Sequence, residues 1–113
     1  MLYLYLVLQI KIFLSSTIVE HRLKASLFYF CTNLKSVIIP NGVTTIGEEA
    51  FERCDELVSV VMPDTVTSIG KDIFYDCGKL TNVRMSKNLK SIPNYSFCGC
   101  ESLKNVYNFV ICI

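Results

Sequence analysis

The sequence predicts a solenoid of stacked coils, mainly β in structure, with short helical or 3-10 turns and a parallel sheet on its concave face. Cysteines recur at positions 31, 54, 77 and 100, always 23 residues apart, and divide the chain into repeated units. The first two units, residues 31–53 and 54–76, are identical at 10 of 23 aligned positions without a gap. A unit of this length cannot bury its own apolar face, so neighbouring units must stack and share one core.

Each unit begins with a short strand. The segments LKSVII, LVSVVM and LTNVRM share an L-x-x-V-x-[IM] pattern, and its alternating part predicts a strand with one buried face. Pro40 and Pro63 follow the first two strands and end them, because proline has no amide donor. The core positions of the three strands are Val37 and Ile39, Val60 and Met62, and Val83 and Met85.

The second half of each unit turns the chain and brings it back. Val43 and Ile46 are the apolar pair of the GVTTIG stretch, and TVTSIG repeats this pair 23 residues later. We expect Gly47 and Gly70 to turn the chain with a positive φ, which glycine adopts without strain. The EEAFERC and KDIFYDC segments then predict a short helical or 3-10 turn that directs Phe51 and its counterpart into the core.

The full pattern, L-x-x-[IV]-x-[IVM]-P-x-x-V-T-x-I-G-x-x-A-F-x-x-C, closely resembles the BspA-type leucine-rich repeat. The resemblance covers residues 31–107, and residues 42–51 nearly match the family consensus. The third unit departs from it, since Ser86 replaces the strand-ending proline, Pro93 the turn glycine, and Ser96 the alanine before phenylalanine. The predicted repeats are residues 31–53, 54–76, 77–99 and a truncated unit at 100–113.

This resemblance implies a non-catalytic leucine-rich-repeat module that binds protein, often as a cell-surface adhesin of mucosal microbes. The implied partner is a protein, such as a surface protein of a host or a neighbouring cell. The implied location is the cell surface or the secreted fraction, and the sequence itself leaves a cytoplasmic location open because it has no convincing signal peptide.

Residues 1–30 are predicted as an N-terminal strand and a degenerate or capping repeat. Every even position from 2 to 14 is Leu or Ile, which indicates a strand, and Val7, Ile10 and Ile12 fit the repeat's own strand pattern. A signal peptide is the alternative, although Lys11 interrupts its apolar stretch and no basic residue precedes it. The stretch is also shorter than the roughly 20 apolar residues of a membrane span.

The chain ends in an apolar run at residues 109–113 without the polar cap that repeat arrays need. We expect either that this run folds back over the last coil or that the chain is a piece of a longer array, and a lone monomer with this end exposed would tend to pair edge to edge. A second interpretation of the whole sequence follows, in which it is a structural or degenerate fragment of a longer array with no binding role of its own.

The sequence offers little for catalysis or nucleic-acid binding. With 11 Lys and Arg against 10 Asp and Glu, it has no basic excess to neutralise phosphates. It has one histidine, His21, and no phosphate-binding glycine motif or HExxH, so we expect no catalytic, cofactor or metal site. Four of the six cysteines share one repeat column and predict a buried thiol ladder, with a strained disulfide or a zinc site as alternatives.

The concave sheet face is the remaining candidate site. Residues between the core positions of each strand point to this face, and solenoids use such surfaces to bind partners. The candidate protein-binding residues are Lys35, Ile38, Val61, Arg84, Lys104 and Tyr107. The competing explanation is β propensity, because Ile, Val and Tyr favour strands everywhere. Separately, Asn94-Tyr95-Ser96 forms an N-glycosylation sequon in a predicted exposed turn.

Overall fold

The computed structural model describes residues 22–107, which form about four coils of a parallel β-solenoid. The strands in this range are β1 (Arg22–Leu23), β2 (Ser36–Ile38), β3 (Thr45–Ile46), β4 (Ser59–Val61), β5 (Ser68–Ile69), β6 (Asn82–Arg84) and β7 (Asn105–Tyr107). A four-stranded parallel sheet has the order β2-β4-β6-β7, and a three-stranded parallel sheet has the order β1-β3-β5. The predicted class, a mainly β repeat solenoid with a parallel sheet, is confirmed.

The 23-residue period sets the register of both sheets. Val37 pairs with Val60, and Val60 pairs with Val83, because each coil of the stack takes up one repeat. Ile46 pairs with Ile69 in the smaller sheet for the same reason. The residues that recur in the sequence therefore form buried ladders down the stack. These ladders are Leu34, Leu57 and Leu80; Val37, Val60 and Val83; Ile39, Met62 and Met85; and Phe28, Phe51 and Phe74.

The aromatic ladder lies in the turn segments at residues 25–30, 48–53, 71–76 and 94–99. These segments were predicted as helical or 3-10 turns, and they contain i to i+3 hydrogen bonds, such as that from the Cys77 amide to the Phe74 carbonyl (3.2 Å). Turns of neighbouring coils are also bonded to each other, as the Phe51 amide donates to the Ile73 carbonyl at 3.0 Å. The ring centroids are 5.4 Å apart for Phe28–Phe51, 5.7 Å for Phe51–Phe74 and 5.4 Å for Phe74–Phe97.

Gly47 and Gly70 do not have the positive φ that the sequence predicted, and that expectation is wrong. Both glycines are required by close contact between coils. A Cβ atom on Gly47 would lie 2.3 Å from the backbone nitrogen of Ala25, and one on Gly70 would lie 2.3 Å from that of Glu48. At this point the coils are joined by a hydrogen bond, since the Gly70 amide donates to the Ile46 carbonyl at 2.8 Å.

The left-handed backbone lies instead in the turns, mostly at residues other than glycine. Glu49 and Arg53 both have a φ of 59°, and Asp72 and Asp76, one repeat later, both have a φ of 58°. Two positions of each turn therefore bend the chain in the same way in successive coils. This conformation costs energy in residues that have a Cβ, and the stacked hydrogen bonds around it offset that cost.

The unusual third unit keeps its core but interrupts the smaller sheet. Ser86 is buried, and its hydroxyl donates to the Val66 carbonyl while accepting from the Asn88 amide. The buried Ser96 hydroxyl donates to the Pro93 carbonyl at 2.6 Å. Because proline has no amide hydrogen, Pro93 cannot repeat the inter-coil bond made by the glycine in the preceding units. The smaller sheet accordingly ends at β5.

Several expectations concern residues outside the described range. The N-terminal strand and most of the degenerate repeat in residues 1–21, His21, Cys112 and the apolar run at 109–113 all lie there. Residues 22–30 are described, and they complete a coil against the first full repeat through β1 and the buried Phe28. Among the residues that are described, no helix is long and apolar enough to cross a membrane.

Candidate functional site

The open sheet face is the outward side of the four-stranded sheet formed by β2, β4, β6 and β7. Its residues alternate with the core ladder, so that Ser36 and Ile38 are exposed on either side of the buried Val37. Three large apolar side chains in or directly before the first two strands face solvent here: Ile38 is 55% exposed, Val58 42% and Val61 38%. The sheet thus presents apolar side chains to solvent, although strand formation does not require these exposed positions to be apolar.

The candidate binding residues form two columns on this face. Ile38, Val61 and Arg84 occupy one column in register, and the backbone of Tyr107 continues it in β7. The side chain of Tyr107 lies outside the described part of the molecule. Lys35 and Lys104 are exposed and belong to the neighbouring column, with Val58 and Thr81 between them. Whether any of these residues contacts a partner stays a prediction.

Arg84 differs from the others because the preceding coil holds its side chain. Its Nη1 donates to the Met62 carbonyl at 3.0 Å, and its Nη2 lies 3.6 Å from Oδ2 of Asp64. The Lys87 side chain is 3.7 Å from the same carboxylate oxygen, and the Lys87 amide donates to Oδ1 at 3.0 Å. That backbone hydrogen bond, together with the charges of Arg84 and Lys87, lowers the pKa of Asp64. Two cations therefore share one carboxylate.

A second ion pair and a hydrogen bond between two side-chain amides also link neighbouring coils. Nζ of Lys79 is 2.9 Å from Oε2 of Glu56, and this hydrogen bond and the lysine's charge lower the pKa of the glutamate. Nδ2 of Asn105 donates to Oδ1 of Asn82 at 2.8 Å, so the amides of adjacent strands are linked. Both contacts join successive coils; the amide contact lies within strands β6 and β7, and the ion pair lies three residues before strands β4 and β6.

The turn ridge, formed by the outward side chains of the four turn segments, contains a group of acidic residues. Carboxylate oxygens of Glu49, Glu52 and Asp72 lie within 4.8 Å of one another. Partial burial raises the pKa of Glu52, and the charges of Glu49 and Asp72 raise it further. This group was not identified from the sequence. The available signal was that Glu49 and Asp72 are one repeat apart with Glu52 three residues further on.

The acidic group does not by itself identify a metal site. Its three carboxylates are partly exposed, and such groups are common on protein surfaces without a bound ion. The Ser26 hydroxyl donates to Oε1 of Glu49 at 3.0 Å, which already engages one of the oxygens. We assign no ligand to this group.

Comparison with known families identifies the repeat. The family described as BspA type leucine rich repeat region matches residues 21–109, in six copies. The chain belongs to this family. A solved leucine rich cell surface protein from Faecalibacterium prausnitzii A2-165 is 24% identical with a TM-score of 0.37, and the match covers 64% of this chain and 31% of that one. The chain thus spans about a third of that protein. No curated protein matches it.

The recurring cysteine column of this BspA-type array is a ladder of thiols that is fully buried at Cys54 and Cys77 and partly exposed at Cys31 and Cys100. Cys54 and Cys77 are fully buried, and their Sγ atoms donate to the carbonyls of Phe28 (3.2 Å) and Phe51 (3.0 Å), while Cys100 repeats the bond to Phe74. Burial raises the pKa of Cys54 and Cys100 to about 12 and also raises the pKa of Cys77. Protonated thiols are poor nucleophiles and metal ligands. In the described range, the cysteines are free thiols: Cys31, Cys54, Cys77, Cys98 and Cys100.

The sequon of the BspA-type array lies in the last turn segment. Asn94 is exposed, as predicted, and Tyr95 beside it is 66% exposed with a φ of 61°. The Ser96 hydroxyl, in contrast, is buried and bonded to the Pro93 carbonyl. Glycosylation at Asn94 stays a prediction.

Proposed function

We propose that this BspA-type leucine-rich-repeat array is a non-catalytic module that binds a protein partner through the open sheet face. Its setting is proposed to be the cell surface, with adhesion or recognition as the role. Membership of the family supports this setting, because such repeats resemble surface adhesins of mucosal microbes. The partner is proposed to be a protein of a host or neighbouring cell surface.

The observation that carries the proposal is the exposed apolar group of Ile38, Val58 and Val61 on a regular sheet. A contiguous apolar surface on a folded protein often marks an interaction site. β propensity alone does not account for it, as the smaller sheet shows. Its outward positions in β3 and β5 are Thr45 and Ser68, so the same fold builds parallel strands with polar outward residues. Apolar residues at 38, 58 and 61 are therefore more than the strand geometry needs.

The test uses the full chain and a partner identified by mass spectrometry from a preparation of host cell-surface proteins. The dissociation constant is then measured by biolayer interferometry for the wild type and for Ile38→Ser combined with Val61→Thr. We expect about tenfold weaker binding from the double variant, since losing two interface contacts of about 0.7 kcal/mol each gives that factor. Lys71→Ala on the turn ridge is the matched surface control and should change the constant less than twofold.

Melting temperatures of all variants are measured alongside binding. Since both substituted positions are exposed and keep strand-compatible residues, the melting temperatures should agree within a few degrees. Unchanged binding by the double variant, against a partner that binds the wild type, would contradict the proposal. Equal losses from the sheet variant and from Lys71→Ala would do the same. In either case a structural role within a longer array would be favoured.

A further inference from the structure

One column of the open sheet face combines an apolar pair with a cation held in place. Ile38, Val61 and Arg84 lie on three successive strands in direct register. Adjacent strands are about 4.8 Å apart, so Arg84 lies about 7 Å, or one and a half strand spacings, from the centre of the Ile38–Val61 pair. This is the distance to the Arg84 backbone, and the side chain extends from there towards the preceding coil, so the guanidinium lies closer to the pair along the stack.

The Arg84 guanidinium is oriented before any partner arrives. Its contacts with the Met62 carbonyl and the Asp64 carboxylate restrict the side chain, which is still 40% exposed. A guanidinium has five N–H donors, and these two contacts occupy only part of them. Because a restricted side chain loses little entropy on binding, it is suited to a ligand group that matches its planar donors. A carboxylate is that group, since it pairs with arginine in a bidentate manner.

The surrounding charges favour the same ligand. Lys35 and Lys104 are exposed on the open sheet face, and Lys87 shares Asp64 with Arg84, whereas Glu56 is paired with Lys79. Cations are therefore in excess around the apolar residues. The acidic group of the turn ridge lies on a different side of the coils and repels an anionic ligand. Together these charges direct an acidic partner towards the open sheet face.

We propose that this face recognises an extended protein segment that has an aliphatic side chain and a carboxylate two residues apart. The segment crosses the strands along the stack, with its aliphatic side chain on Ile38 and Val61 and its carboxylate on Arg84. Side chains at i and i+2 of an extended chain point to the same side and are about 6.6–6.8 Å apart, which is within the distance of about 7 Å between the pair and the Arg84 backbone. This inference rests on the proposed function and adds the chemistry and spacing of the ligand.

The test uses the full chain and three fluorescent seven-residue peptides, capped at both ends and built on a serine and threonine background. The first has Leu at its third position and Glu at its fifth, the second replaces Glu with Gln, and the third moves Glu to the fourth position. Fluorescence anisotropy gives each dissociation constant at low ionic strength. The first peptide should bind about three to ten times more tightly than either of the others, the range of a modest charge-assisted contact.

Variants connect the preference to the proposed residues. Arg84→Gln should remove the preference for Glu over Gln, so that the two peptides bind with equal affinity, and this comparison holds even if the variant is less stable. Ile38→Thr should weaken the first peptide about fivefold, the effect expected for one lost apolar contact of about 1 kcal/mol. Lys71→Ala on the turn ridge is the control, because it lies outside the open sheet face, and it should leave the affinity unchanged.

The outcomes separate this inference from the proposed function. Equal affinities for the three peptides, or a preference for Glu that survives in Arg84→Gln, would overturn the assignment of the carboxylate. If the peptides nevertheless lose affinity with Ile38→Thr, the apolar docking surface remains supported. Absence of peptide binding would overturn the inference, and the measurement with an identified protein partner would then decide the proposed function independently.

Discussion

Replacing Gly70 with alanine tests how closely neighbouring coils approach in this solenoid. The new Cβ atom would lie 2.3 Å from the backbone nitrogen of Glu48 and 2.4 Å from its Cα atom. Non-bonded heavy atoms are stable at about 3.5–4.0 Å, so the two backbones would have to separate by about 1 Å. Such a shift would lengthen the 2.8 Å bond from the Gly70 amide to the Ile46 carbonyl beyond hydrogen-bonding distance.

The expected loss is about 2–4 kcal/mol of unfolding free energy. About 1 kcal/mol comes from the broken hydrogen bond and about 1–3 kcal/mol from strain where the coils are forced apart. Urea denaturation of the full chain, followed by circular dichroism, measures this difference from the midpoint and slope. The loss is a large fraction of the roughly 5–15 kcal/mol that stabilises an ordinary domain.

Gly78→Ala is the matched control within the same chain. No atom lies within 4 Å of the Cβ that it would add, and Gly78 does not have a positive φ. The substitution should change the unfolding free energy by less than about 0.5 kcal/mol or stabilise the protein slightly, because alanine restricts the unfolded chain. If Gly70→Ala cost less than about 1 kcal/mol, or no more than Gly78→Ala, the explanation based on close coil contact would be refuted.

Four further outcomes are expected. Phe74→Ala should lower the unfolding free energy by about 3–5 kcal/mol in urea, because this ring is fully buried between two stacked rings, and a loss below 1 kcal/mol would contradict the aromatic ladder. Iodoacetamide at neutral pH should modify the exposed Cys98 in the folded protein but Cys54 and Cys77 only in urea, and mass spectrometry detecting a disulfide between the latter two would oppose this. Burial raises the pKa of Cys54 from 9.0 to about 12, so the folded state keeps this proton at a pH where the unfolded state loses it. The unfolding free energy, measured in urea melts, should therefore be unchanged below pH 9 and fall as the pH rises from 9 towards 12. Cys54→Ala should make this fall with pH less steep. Secretion from a eukaryotic cell should attach a glycan to Asn94, and mass spectrometry showing an unmodified residue would rule this out.

The arrangement of the coils could be predicted from the sequence because the repeat period determines it. A column that recurs every 23 residues must form a ladder if each coil takes up one repeat, and the pairing of Val37 with Val60 and of Val60 with Val83 follows directly. The buried face of each strand was predictable for a similar reason. Residues of a strand alternate between two sides, and only one side of each repeated strand is apolar in every unit.

The role of the glycines could not be read from the pattern. A recurrent glycine indicates either a positive φ or a close backbone contact, since both exclude a Cβ atom, and the sequence alone does not distinguish them. The turn glycines Gly47 and Gly70 proved to be of the second kind. The positive φ values at Glu49 and Asp72 could not be predicted either, because only a few per cent of all non-glycine residues adopt that conformation.

Contacts between residues of different repeat columns could not be predicted from the sequence either. Arg84 was predicted as a binding residue of the sheet face, but stacking also brings it to Asp64, a residue 20 positions earlier and therefore in another column. The group of Glu49, Glu52 and Asp72 has the same origin, since two columns and two coils contribute to it. Such contacts depend on where long side chains extend between coils, which the repeat period does not specify.

The two sides of each strand are under different constraints, and only the outward side can differ freely from one coil to the next. Inward columns keep one type of residue from coil to coil, because every coil packs against a nearly identical neighbour. The outward column of the four-stranded sheet changes from Ile38 and Val61 to Arg84, and that of the smaller sheet changes from Arg22 to the hydroxyl residues Thr45 and Ser68. Stacking tolerates different residues in both outward columns, so packing between coils does not decide which residues stand there. The variation instead gives each coil a different surface at a fixed spacing of about 4.8 Å, and a ligand that spans several coils can be recognised by the order of these surfaces.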